Sequence, residues 1–188
     1  TGPGYFGRTG ASLLCFGAGG SAAALALHLL RQPDPASRPA RYVVVNRSAA
    51  RLERMAQLVE PWRGTTAFTW VHNDDPAHND ALLAGLPAGS VVVNATGMGK
   101  DSPGSPITNA GLLPEDGIAW DLNYRGDLLF LQQARAQQAA RGLTVADGWE
   151  YFLLGWRDVV AHVLNLEIDE PTFARMAAQA AELRQPPA

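Results

Sequence analysis

A glycine cluster between two apolar segments is the first feature of the sequence that could do chemistry. The stretch GAGGSA follows an apolar run and opens a segment rich in alanine and leucine. It fits the pattern G-x-G-x-x-A, whose glycines permit a tight turn and a close approach of the backbone to a ligand. The N–H groups at the start of the following helix attract an anion. The pattern predicts a pyrophosphate site, and the alternative is a purely structural turn. The residues concerned are Gly17, Ala18, Gly19, Gly20, Ser21 and Ala22.

Two arginines follow the next apolar segment, in the stretch NRSAAR that contains Asn46, Arg47, Ser48 and Arg51. Folds that bind NAD place an acidic residue here for the ribose 2′-hydroxyl. This chain has a neutral asparagine and then two guanidinium groups, which lie four residues apart on one side of a helical turn. Guanidinium forks suit a phosphate group. The pattern predicts NADP(H) as cofactor, and the alternative is a pair of solvated arginines on a surface helix.

Polar residues also end two later apolar segments. NATGMG begins at Asn94 and continues through Ala95, Thr96 and Met98, and DLNY ends at Tyr124. The first segment could line a crevice beside the nicotinamide ribose, or it could be an ordinary exit from a strand. The second could bring the Tyr124 hydroxyl to a substrate oxygen, or the ring could pack at the edge of a sheet.

The elements that would position these residues alternate between strand and helix. We expect one α/β domain over residues 12–188, with a doubly wound, mostly parallel, Rossmann-like sheet, helices on both faces and two closing helices. Residues 1–11 are predicted to be a linker or a remnant of another domain. In such sheets the ligand lies at the carboxyl ends of the strands. The expected strands are 12–16, 41–46, 65–71, 90–95, 118–124 and 143–147. The expected helices are 19–31, 48–60, 78–86, 127–142, 149–166 and 170–184. The loop 96–117 is long enough to be functional or mobile.

The composition of the 188 residues narrows the class of protein. The formal net charge of −3 gives no reason to expect nucleic acid or an acidic membrane surface as a partner. No apolar run reaches the length of about 18 residues that a membrane span needs. Together with the missing signal-peptide pattern, this predicts a cytoplasmic location by elimination. The lone Cys15 and four scattered histidines offer no metal-binding pattern, so no metal site is predicted.

Taken in order, these motifs resemble the C-terminal NADP-binding domain of shikimate dehydrogenases and their quinate dehydrogenase relatives, from about residue 13 to 184. The resemblance implies adenosine 2′-phosphate contacts from the NRSAAR residues and ribose and nicotinamide contacts from the NATGMG residues. It implies that Tyr124 faces the substrate. DGWEYFL resembles a further family segment and implies that Gly148 lies by the nicotinamide. The implied activity is hydride transfer to or from a hydroxyl or keto carbon of a shikimate- or quinate-like small molecule, in the biosynthesis of aromatic amino acids.

The departures from the family bear on function. The catalytic lysine and aspartate of the family belong to an N-terminal substrate domain. We expect this domain to lie outside this chain, upstream in the same protein. Gly155 aligns with a glutamine that holds substrate hydroxyls in the family, which leaves the substrate open. The alternative is a non-catalytic NADP(H)-binding module that lacks the acid–base pair. A reductase related to glutamyl-tRNA reductase is a third possibility, against which the DLNY and Gly148 segments argue.

Two further features of the sequence have open interpretations. Lys100 is the only lysine, so it could supply acid–base chemistry or be a solvated loop residue. The aromatic residues of the first closing helix are expected to pack in the core or against another domain. They are Trp149, Tyr151, Phe152 and Trp156. The sequence does not indicate an oligomeric state.

Overall fold

The computed structural model describes residues 1–182 and residue 184. In this part of the chain, no helix is both long enough and apolar enough to span a membrane. The strands are β1 (Leu13–Phe16), β2 (Arg41–Asn46), β3 (Ala67–His72), β4 (Val91–Asn94), β5 (Ile118–Asp121) and β6 (Thr144–Ala146). The α-helices are α1 (Tyr5–Thr9), α2 (Gly20–Leu30), α3 (Ala49–Val59), α4 (Pro76–Ala84), α5 (Leu129–Arg141), α6 (Trp149–Leu164) and α7 (Glu170–Glu182). Short 3₁₀ turns lie at Pro35–Ser37 and Glu60–Trp62.

The six strands form one parallel sheet in the order β3-β2-β1-β4-β5-β6. Alternate residues of β1 enter opposite sides of the core: Leu13 and Cys15 join one apolar cluster, and Leu14 and Phe16 join the other. Burial on both faces follows from helices that cover both sides of a parallel sheet. The predicted doubly wound α/β fold is confirmed. Strand order reverses between β1 and β4, and this is where such sheets bind ligands.

Local capping sets where the helices begin and end. Ser48 accepts a hydrogen bond from the Arg51 amide and starts α3, as its position in the sequence predicted. Helix α4 starts two residues earlier than predicted because the Asp75 side chain caps it and Pro76 fits its first turn. Helix α5 starts two residues later than predicted, because Leu128 has a left-handed backbone (φ 48°) that a helix cannot include.

The long loop between β4 and β5 is held by side chains from two helices. The Asn79 amide of α4 donates to the Pro106 carbonyl at 2.7 Å, and Gln137 of α5 donates to the Gly111 carbonyl at 2.9 Å. Ser105 is buried and donates to Gln133 of α5 at 2.7 Å. The sequence suggested that this loop is functional or mobile. These hydrogen bonds hold it to α4 and α5, so they do not support a mobile loop.

The first residues of the chain pack on the domain. Helix α1 lies within the segment that was expected to be a linker or a remnant. Its Phe6 ring is buried in the same apolar cluster as Leu13, and the Tyr5 hydroxyl donates to the Gly89 carbonyl at 2.6 Å. The sequence did not predict this helix, because five residues bounded by glycines carry too little periodicity to identify one.

Helices α6 and α7 form a hairpin with an exposed apolar side. Arg157 of α6 forms an ion pair with Glu170 at 3.1 Å and lies over the Phe173 ring of α7. Neither helix contains a buried residue among those described. Trp156 is 54% exposed and Val163 is 72% exposed. Of the two kinds of packing expected for the α6 aromatics, core packing does not hold for the exposed Tyr151 and Trp156. Packing against another domain stays a prediction.

A buried polar cluster lies where β4 and β5 end. The Asp121 carboxylate accepts hydrogen bonds from the Asn123 amide at 2.9 Å and from the Asn94 side chain at 3.2 Å. Its second oxygen has no hydrogen-bond partner within the described residues. Burial raises the pKa of Asp121 to about 6, against the effect of those hydrogen bonds. A buried carboxyl group with a pKa of about 6 therefore makes the stability of the domain depend on pH.

The substitution Asp121→Asn is expected to change how stability depends on pH. Since the folded state holds the proton more tightly than the unfolded state, wild-type stability falls as pH rises from about 4 through about 6. The variant lacks this fall, because its amide carries no charge in either state. Relative to the variant, the wild type should lose on the order of 2–3 kcal/mol between about pH 4 and pH 7. Urea unfolding at several pH values measures the difference.

The same substitution at the exposed Asp127 is the matched control, and its stability relative to wild type should not vary in this way. A difference between wild type and Asp121→Asn that stays constant from about pH 4 to pH 7 would contradict the burial of an ionising carboxylate at Asp121.

Candidate functional site

The turn after β1 is shaped by a close contact between two backbones. Gly17 has φ 113°, and a Cβ at this position would lie 2.6 Å from the Ala95 carbonyl oxygen. Both the conformation and the space therefore require glycine. The Gly17 amide also donates to the Val45 carbonyl at 2.8 Å, so the turn is tied to β2 on one side and touches the end of β4 on the other.

The next residues of the loop leave open space above the start of α2. A Cβ at Gly19 or Gly20 would meet no atom within 4 Å. Gly19 precedes the first turn of α2, and no side chain caps the helix there. Ala22 is fully buried against the sheet, and Ser21 is partly exposed beside it. The loop thus presents uncapped amides to an open space, which suits an anion.

A cavity of about 560 Å³ extends from this loop along the carboxyl ends of the strands. Nine of the predicted site residues line it. They are Gly17, Ala18, Gly19, Asn46, Arg47, Arg51, Ala95, Thr96 and Met98. Motifs that are separated by up to 81 positions in the sequence therefore meet around one space, as the parallel topology requires.

The two arginines lie at one end of this cavity. Arg47 follows β2, and Arg51 lies in the first turn of α3, which Ser48 caps. Arg51 also lines a second, adjacent hollow together with Gly19 and Gly20. The His72 ring contacts the Arg47 carbonyl at 3.2 Å. Both arginines therefore line the same space as the glycine-rich loop, as a ligand with a phosphate near its pyrophosphate would need.

The side-chain N–H₂ group of Asn46 donates no hydrogen bond within the described part of the chain. Its side-chain nitrogen is buried and has no hydrogen-bond partner among the described residues. The same residue lines the cavity at the end of β2. A buried amide without a hydrogen-bond partner lowers the stability of the protein. A ligand that accepts a hydrogen bond from it would remove this cost and bind more tightly.

The other end of the cavity is organised by Asn94. Its side-chain oxygen accepts hydrogen bonds from the Thr96 amide at 3.1 Å and the Thr96 hydroxyl at 2.6 Å. The Met98 carbonyl accepts hydrogen bonds from the side chains of Asn94 and Asn123 at 3.4 and 3.1 Å. Asn94 itself is fully buried and does not line the cavity. Its hydrogen bonds hold the backbone of Thr96 and Met98, which do line the cavity.

Gly148 and Tyr124 lie outside the lining of this cavity. The Gly148 amide donates to the Asn123 carbonyl at 2.9 Å, and a Cβ there would overlap the Leu122 carbonyl. The start of α6 therefore packs directly on the end of β5. The Tyr124 ring stacks on Phe152 with 4.1 Å between ring centroids, and Arg125 lies 5.9 Å from the Tyr124 ring centroid.

Lys100 is paired within its own turn. Its ammonium group lies 3.1 Å from the Asp101 carboxylate, and its side chain is 25% exposed. Asp101 lines the cavity, whereas Lys100 does not. Lys100 is therefore a partly exposed loop lysine that is held in an ion pair. Its participation in acid–base chemistry stays a prediction.

Ten lining residues were not among the predicted site residues. Phe16, Val45 and Gly97 adjoin the predicted motifs or lie within them. The other seven come from the β3–α4 segment and the β4–β5 loop: Asn73, Asp74, Pro76, Asn79, Asp101, Ser102 and Pro106. Those of the β3–α4 segment belong to a polar stretch that reads as a solvated connection, and Asn79 is hidden inside a short helix. The available signal was topological, because the segment after β3 must leave the sheet beside the end of β2.

Comparisons with known proteins agree with this architecture. No protein-family model matches the chain. A shikimate dehydrogenase (NADP(+)) of Symbiobacterium thermophilum is 33% identical over 157 residues, which are 76% of this chain and 49% of that protein. A shikimate dehydrogenase (NADP(+)) of Methylobacillus flagellatus is 31% identical over 159 residues, covering 82% of this chain and 53% of that protein. The chain thus spans about half the length of these curated relatives.

Solved structures show the same fold. Quinate dehydrogenase from Corynebacterium glutamicum in complex with NAD superposes with a TM-score of 0.66 at 23% identity, covering 91% of this chain and 55% of that one. At this identity the likeness supports the fold alone, whereas the curated relatives share sequence as well. By sequence, the chain belongs to the shikimate dehydrogenase family, and its Rossmann-type domain has the fold seen in the quinate dehydrogenase structure.

Proposed function

We propose that this chain is the NADP(H)-binding part of an oxidoreductase of the shikimate dehydrogenase type. The observation that carries the proposal is that Arg47 and Arg51 line the same cavity as the uncapped glycine-rich loop. The acidic residues of the lining, Asp74 and Asp101, belong to the β3–α4 connection and the β4–β5 loop and not to the end of β2. A phosphate on the ribose would meet two guanidinium groups, which favours NADP(H) over NAD(H).

The residues present fit this cofactor along its length. The open space above Gly19 and Gly20 would receive the pyrophosphate, facing the amides at the start of α2. The unpartnered Asn46 donor would find an acceptor on the adenosine ribose or its phosphate. Thr96 and Met98, held by Asn94, would line the nicotinamide end. When bound, NADP(H) supplies the hydride chemistry, and these side chains orient it.

The substrate class follows from the family and remains part of the proposal. A small hydroxy or keto compound of the shikimate or quinate type would react beside Met98 and Tyr124, beyond the nicotinamide end of the cavity. The Tyr124 hydroxyl would donate to or accept from a substrate oxygen while its ring stays stacked on Phe152. Relatives whose names record this activity are about twice as long as the matched segment. We infer that the remaining acid–base groups come from a second domain.

The α6–α7 hairpin supports such a second domain. Phe152 stacks on Tyr124 and meets Trp156 edge-to-face, with 6.3 Å between the ring centroids of Phe152 and Trp156. Trp156, Val163 and Leu164 of helix α6 are exposed, and exposed apolar side chains grouped on one helix are typical of an interaction site. A domain seated there would cover the hairpin and reach the proposed substrate position next to Tyr124.

The chain is expected to bind NADPH more tightly than NADH, and Arg47→Ala should remove most of that preference. A charge-assisted hydrogen bond is worth about 1.5–3 kcal/mol, so the variant should bind NADPH roughly 10- to 100-fold more weakly. Its affinity for NADH should change little, because NADH has no 2′-phosphate. Titration calorimetry with both cofactors measures this. Arg135→Ala, on the exposed side of α5, is the control. Equal affinity of the wild type for the two cofactors would refute the phosphate site.

Gly19→Val tests the pyrophosphate position separately from stability. The new side chain meets no protein atom at its Cβ, and the backbone there is extended, so thermal unfolding should stay within a few degrees of wild type. The side chain would fill the space proposed for the pyrophosphate, so NADPH affinity should fall by at least about 10-fold, the effect of losing roughly 1.4 kcal/mol. If the variant binds NADPH as tightly as the wild type, the pyrophosphate does not lie above Gly19.

The 188-residue chain by itself is expected to bind NADP⁺ yet oxidise shikimate or quinate poorly. General acid–base catalysis contributes about 10²–10⁴-fold, and in this proposal its groups lie in the second domain. Formation of NADPH followed by absorbance, with both substrates, measures turnover. Rates typical of whole dehydrogenases, about 1–10³ s⁻¹, would show that this chain holds the complete site. Tight cofactor binding by the natural protein without any turnover on this substrate class would instead favour a non-catalytic binding module.

A further inference from the structure

The wall of the cavity that faces the glycine-rich loop comes from two separate segments. One is the β3–α4 connection, which contributes Asn73, Asp74 and Pro76 to the lining. The other is the long β4–β5 loop, which contributes Ser102 and Pro106. These two segments belong to different crossovers of the sheet, so covalent connection alone does not fix the distance between them.

One side chain joins the two segments. Asn79 accepts a hydrogen bond from the Asn73 side chain at 2.8 Å and donates to the Pro106 carbonyl at 2.7 Å. The backbone N–H of Asn73 in turn donates to the backbone carbonyl of Asn46 at 3.1 Å. A continuous chain of hydrogen bonds therefore runs from the end of β2 through the β3–α4 connection to the β4–β5 loop.

The location of Asn79 makes this link strong. The residue is 5% exposed, so its amide competes little with water for these partners. It also lines the cavity, which places the link at the wall itself and not behind it. Its neighbour Asp80 bonds Thr108 farther along the same loop, but neither of these two residues lines the cavity. The helix thus anchors the loop at two points, of which only one borders the cavity.

We infer that Asn79 is a positioning residue for the cofactor site, because it fixes the spacing of the two segments that face the glycine-rich loop. The inference rests on the proposed function, since it assigns the cavity to NADP(H). The link starts at Asn46, beside Arg47, so the part of the cofactor it affects is the adenosine half. That half is common to NADPH and NADH, whereas Arg47 distinguishes them.

The test compares Asn79→Ala with Arg47→Ala by titration calorimetry with NADPH and NADH. Loss of both Asn79 hydrogen bonds should weaken NADPH and NADH by similar factors of roughly 3- to 30-fold. The ratio of the two dissociation constants should therefore stay at the wild-type value. Arg47→Ala should instead change the ratio. This signature separates positioning of the shared adenosine half from contact with the 2′-phosphate.

Controls keep the test informative if the buried substitution impairs folding. Thr108→Val weakens the second anchor of the loop, away from the cavity, because it removes the hydroxyl bond to Asp80 and leaves the backbone bond. It should leave both cofactor affinities within about twofold of wild type, a difference of roughly 0.4 kcal/mol. Asn73→Ala breaks the Asn73–Asn79 bond at a partly exposed position and should reproduce the parallel loss in milder form.

Unchanged affinities in folded Asn79→Ala and Asn73→Ala, or an equal loss in Thr108→Val, would overturn the inference while the proposed function stands. A wild-type chain that binds neither cofactor would overturn both.

Discussion

The contact between the Gly17 backbone and the Ala95 carbonyl is the constraint on which the site depends. It joins the ends of β1 and β4, where the strand order reverses and a crevice opens. A side chain at Gly17 would separate these two ends, and its φ of 113° is one that other residues rarely adopt. Because this turn is closed so tightly, the next residues can leave an open space at Gly19, and α2 can direct its first amides into it.

Around that turn, the sheet brings together groups that would contact different parts of one long ligand. The arginines after β2 supply charge at one end, and the Asn94–Thr96 pair supplies an ordered backbone at the other. Charged groups are placed at the exposed end of the cavity, while the neutral asparagines carry the buried hydrogen bonds. This division avoids burying unpaired charge, except at Asp121, where burial raises the pKa of the carboxyl to about 6.

The sequence predicted the parts of the fold whose cause is local. Alternating apolar segments, the Ser48 cap and the end of α5 at Gly142 all follow from neighbouring residues. The left-handed Leu128 was not predictable, since leucine disfavours that conformation and tertiary contacts must impose it. The role of Asn79 was hidden for a related reason, because its partners Asn73 and Pro106 come near only once the sheet has formed.

In the proposed function, the glycine-rich loop holds the pyrophosphate and the two arginines hold the 2′-phosphate of one NADP(H) molecule. A crystal structure of the chain with NADP⁺ bound tests it most directly. We expect the pyrophosphate above Gly19, at the start of α2, and the 2′-phosphate within hydrogen-bond distance of Arg47 and Arg51. A 2′-phosphate that points into solvent away from both arginines, or a cofactor bound outside this cavity, would contradict it.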